Sequence, residues 1–151
     1  MTKKIIMNNK TKDLCYFKLK LQELLNNSFP EKAHDYKFID QRSKWAANAY
    51  EAAFIAGNKI DQCIEIANYI LFEGSHFSKF DMVFQLVCDE FNTVMADEEL
   101  RPFALKMLSI CNNVFQNYEL TDDFEDTAAY DLLYTELTGT IAIWIEENGL
   151  Q

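Results

Sequence analysis

Between Leu71 and Asp81 the chain reads Leu-Phe-Glu-Gly-Ser-His-Phe-Ser-Lys-Phe-Asp, and no other stretch gathers so many reactive side-chain types. Histidine is the side chain best suited to general acid–base work near neutral pH, so His76 is the natural proton carrier. Ser75 and Ser78 supply hydroxyls, and Glu73 and Asp81 are placed in sequence to orient an imidazole. A nucleophilic triad needs such parts at defined positions in space, and no Gly-x-Ser-x-Gly elbow surrounds them. The same residues also have plainer uses. Gly74 reads as a helix stop and Ser78 as a helix start, with Asp81 three residues on in a near capping box. His76 is then a packed joint residue bonded to the backbone. The candidate binding set is Glu73, His76, Phe77, Lys79 and Asp81, with no residue assigned a catalytic role. His76, Phe77 and Lys79 are the three whose presence the helix signals leave unexplained.

Metal and cofactor chemistry find little support. His34 and His76 are the only histidines, and no His-Glu-x-x-His or paired-cysteine motif occurs. Glu73, His76 and Asp81 offer three ligands at most. Asp122, Asp123, Glu125 and Asp126 lack the alternating ligands and central glycine of a calcium loop. They read instead as an acidic helix entry, favoured by the helix dipole. Without a Gly-x-Gly-x-x-Gly or Walker lysine loop, nucleotide binding has no basis, so no cofactor and no metal are expected.

These residues must be positioned by helices. Gly 4 and Pro 2 in 151 residues are too few for the turns of a sandwich or barrel. Apolar periodicity predicts a first helix over about Lys12–Asn27, with Thr11 as its cap and Leu14, Phe17, Leu21, Leu24 and Leu25 inward. Phe29 precedes Pro30 and breaks it. A second helix over Asp35–Ala56 buries Phe38, Trp45, Ala46, Ala49, Ala53 and Ala56, its alanines admitting a close neighbour, and Gly57 stops it. A third over Lys59–Glu73 takes Asn58 as its cap and buries Ile60, Ile64, Ala67 and Leu71. The fourth follows Ser78, with Val83, Phe84, Val87 and Phe91 inward.

A fifth helix, Asp97–Tyr118, turns Phe103, Leu108, Cys111, Val114, Phe115 and Tyr118 inward; Pro102 either sits near its first turn or divides it. The sixth spans Ala128–Asn148 before Gly149. Within it Thr138–Ile145 is β-branched and alternating. A lone strand there has no partner, so helix is expected, with Gly139 as a close-packing point. The fold expected is all-α, a single-domain multihelical bundle of about six helices over 13–151, preceded by a flexible basic arm over 1–12.

Charge is uneven. The chain carries −10, with 12 Lys+Arg against 9 Asp+Glu in residues 1–79 and 2 against 15 in residues 80–151. The acidic half repels phosphate backbones, so direct nucleic-acid binding through it is not expected. No apolar run is long enough to span a bilayer and no signal-peptide core follows Met1, so no membrane role is expected. Cys15, Cys63, Cys88 and Cys111 each lie among apolar residues, as buried free thiols do, which points to a reducing cytoplasm. Tyr16, Tyr36, Phe77, Tyr118 and Tyr134 are surplus aromatics for a partner-binding patch.

Three blocks carry a resemblance: Leu71–Asp81, Leu120–Phe124 (LTDDF), and Leu132–Ile141 (LLYTELTGTI) with the ending Asn148–Gln151 (NGLQ). Together they resemble domain-of-unknown-function family 1896, small multihelical proteins of Bacteroidetes often found near conjugative transposons. The resemblance covers most of the chain after about Lys12. It implies an all-helical fold and no activity. The expected role is therefore a cytoplasmic accessory or protein-interaction module with an unidentified protein partner, compatible with homo-oligomer formation. The alternatives are an acidic DNA mimic that blocks a restriction or DNA-binding enzyme, and an enzyme centred on His76.

Overall fold

Leu14, Phe17, Leu21, Leu24 and Leu25 recur at helical spacing, and a computed structural model places them in one long helix, α1 (Thr2–Ser28). The structure describes residues 2–150, with side chains from Asp13 through Leu150. The basic arm expected over 1–12, and Thr11 as a cap, lie outside the residues whose side chains are described. All described elements are helical: α2 (Tyr36–Ile55), α3 (Ile60–Leu71), α4 (Lys79–Glu90), α5 (Asp97–Ile110), α6 (Asn112–Phe115) and α7 (Ala128–Asn148), with a 3-10 turn at Phe124–Asp126. Across the range expected to form one helical domain, the chain divides into two compact units, Met1–Glu73 and Gly74–Gln151. Each has its own hydrophobic core.

In the first unit α2 packs on both α1 and α3. Asp35 caps α2, its carboxylate accepting the Phe38 N–H at 3.2 Å, which satisfies one orphan donor of the first turn. The buried face of α2 is Ile39, Ser43, Ala46, Ala47 and Ala53. These small side chains let α3 seat Cys63, Ala67 and Leu71 against them. Three expectations of burial are corrected here. Trp45 is 49% exposed because it lies one position, about 100°, off the buried row, and Ala56 lies at the exposed end of the helix. Ile60 is 58% exposed because it opens α3, and Cys63 takes the buried place expected for it. Asn58 does not cap α3 either. Its side-chain amide donates to the Ala53 carbonyl at 2.9 Å and closes the end of α2, where Gly57 turns with φ +94°. Lys59 stands at the N-cap, its N–H donating to Gln62 Oε1 at 3.3 Å.

The core of the second unit is built on Phe80, Val83, Leu86 and Val87 of α4, Leu100, Ala104 and Met107 of α5, and Leu133, Leu137 and Ile141 of α7. Pro102 lies inside α5 without dividing it. The break comes instead at Cys111, which ends α5 and begins α6, so the described residues hold seven α-helices where about six were expected. Burial of Cys111 pushes its thiol up to about 11. Cys63 is also buried, Cys88 is half-buried, and Cys15 is exposed, against the expectation of four buried thiols.

Thr138–Ile145 is helical throughout, within α7. Its threonines adapt to the helix: Thr138 and Thr140 each donate a hydroxyl to the carbonyl four residues back, at 2.8 Å. Gly139 is exposed and a methyl group there would meet nothing within 4 Å, so it is not the close-packing point expected. Gly139→Ala should therefore raise stability by about 0.5–1 kcal/mol, by lowering the entropy of the unfolded chain. Gly74→Ala, at φ +78°, should lower it by about 1–2 kcal/mol. Thermal melts of the two variants should move in opposite directions.

Candidate functional site

The Leu71–Asp81 segment crosses the boundary between the two units, and its residues part accordingly. Glu73 ends the first unit, where its backbone carbonyl accepts Arg42 Nη1 at 2.7 Å. The same guanidinium reaches the Ile70 carbonyl at 3.2 Å, so Arg42 closes the C-terminus of α3, where a cation also complements the helix dipole.

Gly74 begins the second unit with positive φ, and Ser78 caps α4 as expected. The Ser78 hydroxyl oxygen accepts the Asp81 N–H at 3.0 Å. This cap turns the chain sharply enough to bring His76, Phe77 and Asp81 to one cavity of about 180 Å³. Gln85, one turn along α4, and Glu125 and Tyr130, from the segment entering α7, complete its polar wall, with Met82 below. Phe124 holds the assembly together. It is buried and meets Phe77 edge-on at 5.1 Å, Tyr118 at 6.1 Å and Tyr130 at 6.2 Å, ring centre to ring centre.

Of the five expected site residues, the structure brings His76, Phe77 and Asp81 together. Lys79 points elsewhere, its ammonium 5.8 Å from the Phe115 ring centre. His76 is exposed, and no hydrogen bond to its ring is found among the described residues, so the expected bond to the backbone is not made. Gln85, Glu125 and Tyr130 escaped the sequence reading. They lie far along the chain or one helical turn away, and only Phe124, an aromatic in the middle of an acidic run, signals that the link folds inward. No group of three or more His, Cys, Asp or Glu among the described residues is placed to hold a metal ion, so Glu73, His76 and Asp81 do not form a ligand set.

The charges that act on the two phenols beside the cavity, Tyr130 and Tyr134, are carboxylates. Burial, then the carboxylates of Glu125, Asp131 and Asp89, push the Tyr130 phenol upward. Tyr134 is pushed up to about 12, first by burial and then by its 2.9 Å hydrogen bond to Glu90. Folding raises this phenol's pKa, so its stabilising contribution is full below the unfolded value of about 10 and is lost as pH climbs toward 12. An absorbance titration should show one phenol ionising near 12, absent in Tyr134→Phe.

The five surplus aromatics fall in both units. Tyr16 and Tyr36 are exposed in the first unit, whereas Phe77, Tyr118 and Tyr134 are half-buried against the core of the second. No helix among the described residues is long and apolar enough to cross a membrane.

Comparison with known proteins agrees with this architecture. The model of the family described as a domain of unknown function, DUF1896, matches residues 9–150. The crystal structure of protein PG0816 from Porphyromonas gingivalis is similar to this chain at 37% identity and a TM-score of 0.89, covering 95% of this chain and 98% of that one. No curated protein matches. With nearly its whole length covered by the family model, the chain belongs to the DUF1896 family.

Proposed function

We propose that this chain is a helical protein-interaction module, acting as an accessory protein through contact with another protein. The outward face of α3 carries the reading. Ile66 is 41% exposed and Tyr69 75%, and with Ile70 they line a shallow depression of about 450 Å³ bordered by Asn58, Gln62 and Glu65. Single exposed apolar residues are ordinary on any protein. Here three share one face of a twelve-residue helix inside a polar rim, the arrangement that marks interaction surfaces. Tyrosine in such a setting is a frequent centre of binding energy. The free cysteines support work in a reducing compartment. An accessory role beside a mobile element follows from the family resemblance alone and rests on no residue.

The test is affinity capture from the native host with the intact chain and with Tyr69→Asp. A reproducible partner lost by more than about tenfold in the variant supports the reading. A partner retained unchanged, or none at all, removes it. Light scattering on the same preparations reports whether the partner is a second copy.

The acidic-mimic reading keeps one specific observation in its favour. All fifteen carboxylates of Gly74–Gln151 are exposed, although in sequence they are interleaved with core residues. Competition with duplex DNA for a restriction enzyme tests it, and no inhibition at about micromolar protein, a modest affinity for such a mimic, would end it.

A further inference from the structure

Along α3 and the turns that flank it, Lys59, Gln62, Ile66, Tyr69 and Glu73 recur at steps of three, four, three and four. That is the spacing of a seam along which one helix packs on another. Gln62, Ile66 and Tyr69 line the shallow depression, while α3 turns Cys63, Ala67 and Leu71 inward. The seam therefore faces away from the core of the first unit.

Its two ends carry opposite charges, and each charge sits at the unfavourable end of its own helix. Lys59 is the N-cap of α3, where the helix dipole is positive. Glu73 lies just past the C-cap, Phe72, where the dipole is negative. Both residues are exposed, and neither is in a salt bridge among the described residues. Arg42 approaches Glu73, but its guanidinium donates to the backbone carbonyls of Ile70 and Glu73.

An antiparallel neighbour of the same sequence reverses both mismatches. Lys59 and Glu73 lie seven residues either side of Ile66. A two-fold axis beside Ile66 sets each Lys59 against the second copy's Glu73, and each charge beside the favourable end of the other helix. The two Ile66 side chains then meet at the centre, and each Tyr69 lies over the second copy's Gln62. A parallel copy would set Lys59 on Lys59 and Glu73 on Glu73.

We infer that the outward face of α3 docks a second copy of this chain, as an antiparallel helix pair with its two-fold axis beside Ile66. The inference rests on the reading of this face as a protein-contact surface, and it names the partner.

Sedimentation equilibrium of the full chain over a wide concentration range tests it. A monomer–dimer equilibrium is expected, with a dissociation constant on the order of 10–100 micromolar for so small an interface. Tyr69→Asp should weaken it by more than about tenfold. Lys59→Glu and Glu73→Lys, each alone, should weaken it by about fivefold, since each sets like charges opposite one another twice. Both changes suit the dipole of the isolated helix better, so unfolding would not explain the loss. Mixing the two single variants should restore association, because every charge contact across that heterodimer again joins opposite signs.

A chain still monomeric at about 500 micromolar, well above the expected dissociation constant, overturns the inference. So do single charge variants that dimerise as well as the parent, or a mixture that associates no better than either variant alone. A monomeric chain that captures a different protein through Tyr69 sinks the second copy and leaves the interaction reading standing. Loss of both the dimer and Tyr69-dependent capture removes that reading as well.

Discussion

Phe80→Ala should cost the protein about 3–5 kcal/mol of folding stability. Phe80 is fully buried in the second unit, stacked on Phe84 at 5.8 Å and 16° between planes. The Arg101 guanidinium covers its ring. Truncation removes a large apolar surface, leaves a cavity among Val83, Leu86 and Leu100 that rigid neighbours fill poorly, and takes from Arg101 the nearer of its two rings. Urea unfolding followed by far-ultraviolet circular dichroism measures the loss. A change below about 1 kcal/mol would mean that Phe80 is not at the centre of this core. Apolar periodicity singled out Val83, Phe84, Val87 and Phe91 on α4 and passed over Phe80, which stands between Lys79 and Asp81 in the first helical turn. The Ser78 cap turns the helix so that Phe80 enters the core while Phe84 and Phe91 are only half-buried.

Leu21→Ala should cost about 2–5 kcal/mol through the first unit. Leu21 is completely enclosed in a core with Phe17, Leu25, Ile39, Ala46 and Ala67. The spread in the expected value reflects how far the surroundings collapse, and here they have little to offer. Ala46, Ala47 and Ala67 are short and held in helices, so they cannot reach into the vacated space. Leu19→Ala, two residues away and exposed, should stay within about 0.5 kcal/mol and serves as the control for helix propensity. Equal effects at the two positions in the same urea titration would contradict the packing described for α1.

Much of this fold was legible because helices leave a local record. Asp35, Gly57, Ser78 and Gly149 mark their ends through backbone conformation and hydrogen bonds that reach only a few residues. The span Ala128–Asn148 was read correctly despite its β-branched centre. A strand there would have needed a partner, and a helix satisfies its own backbone. Less was legible of which face each helix buries. Periodicity puts Trp45 and Ile60 on inward faces and Gly139 reads as a close-packing point, yet all three are exposed.

The cavity divides along the same line. His76, Phe77 and Asp81 share one joint, so their proximity follows from sequence distance and the Ser78 cap. Glu125 and Tyr130 arrive from more than forty residues on, brought in by the Phe124 ring cluster. What the sequence alone determined is helix content, most helix ends, the acidic bias after residue 79 and the family. These rest on interactions within one turn of chain or on composition. What the tertiary structure decided is the division of the chain after Glu73, the exposed face of α3 and the cavity that joins α4 to the segment entering α7. Each depends on which small or large side chains face one another across tens of residues, and no local signal records that choice.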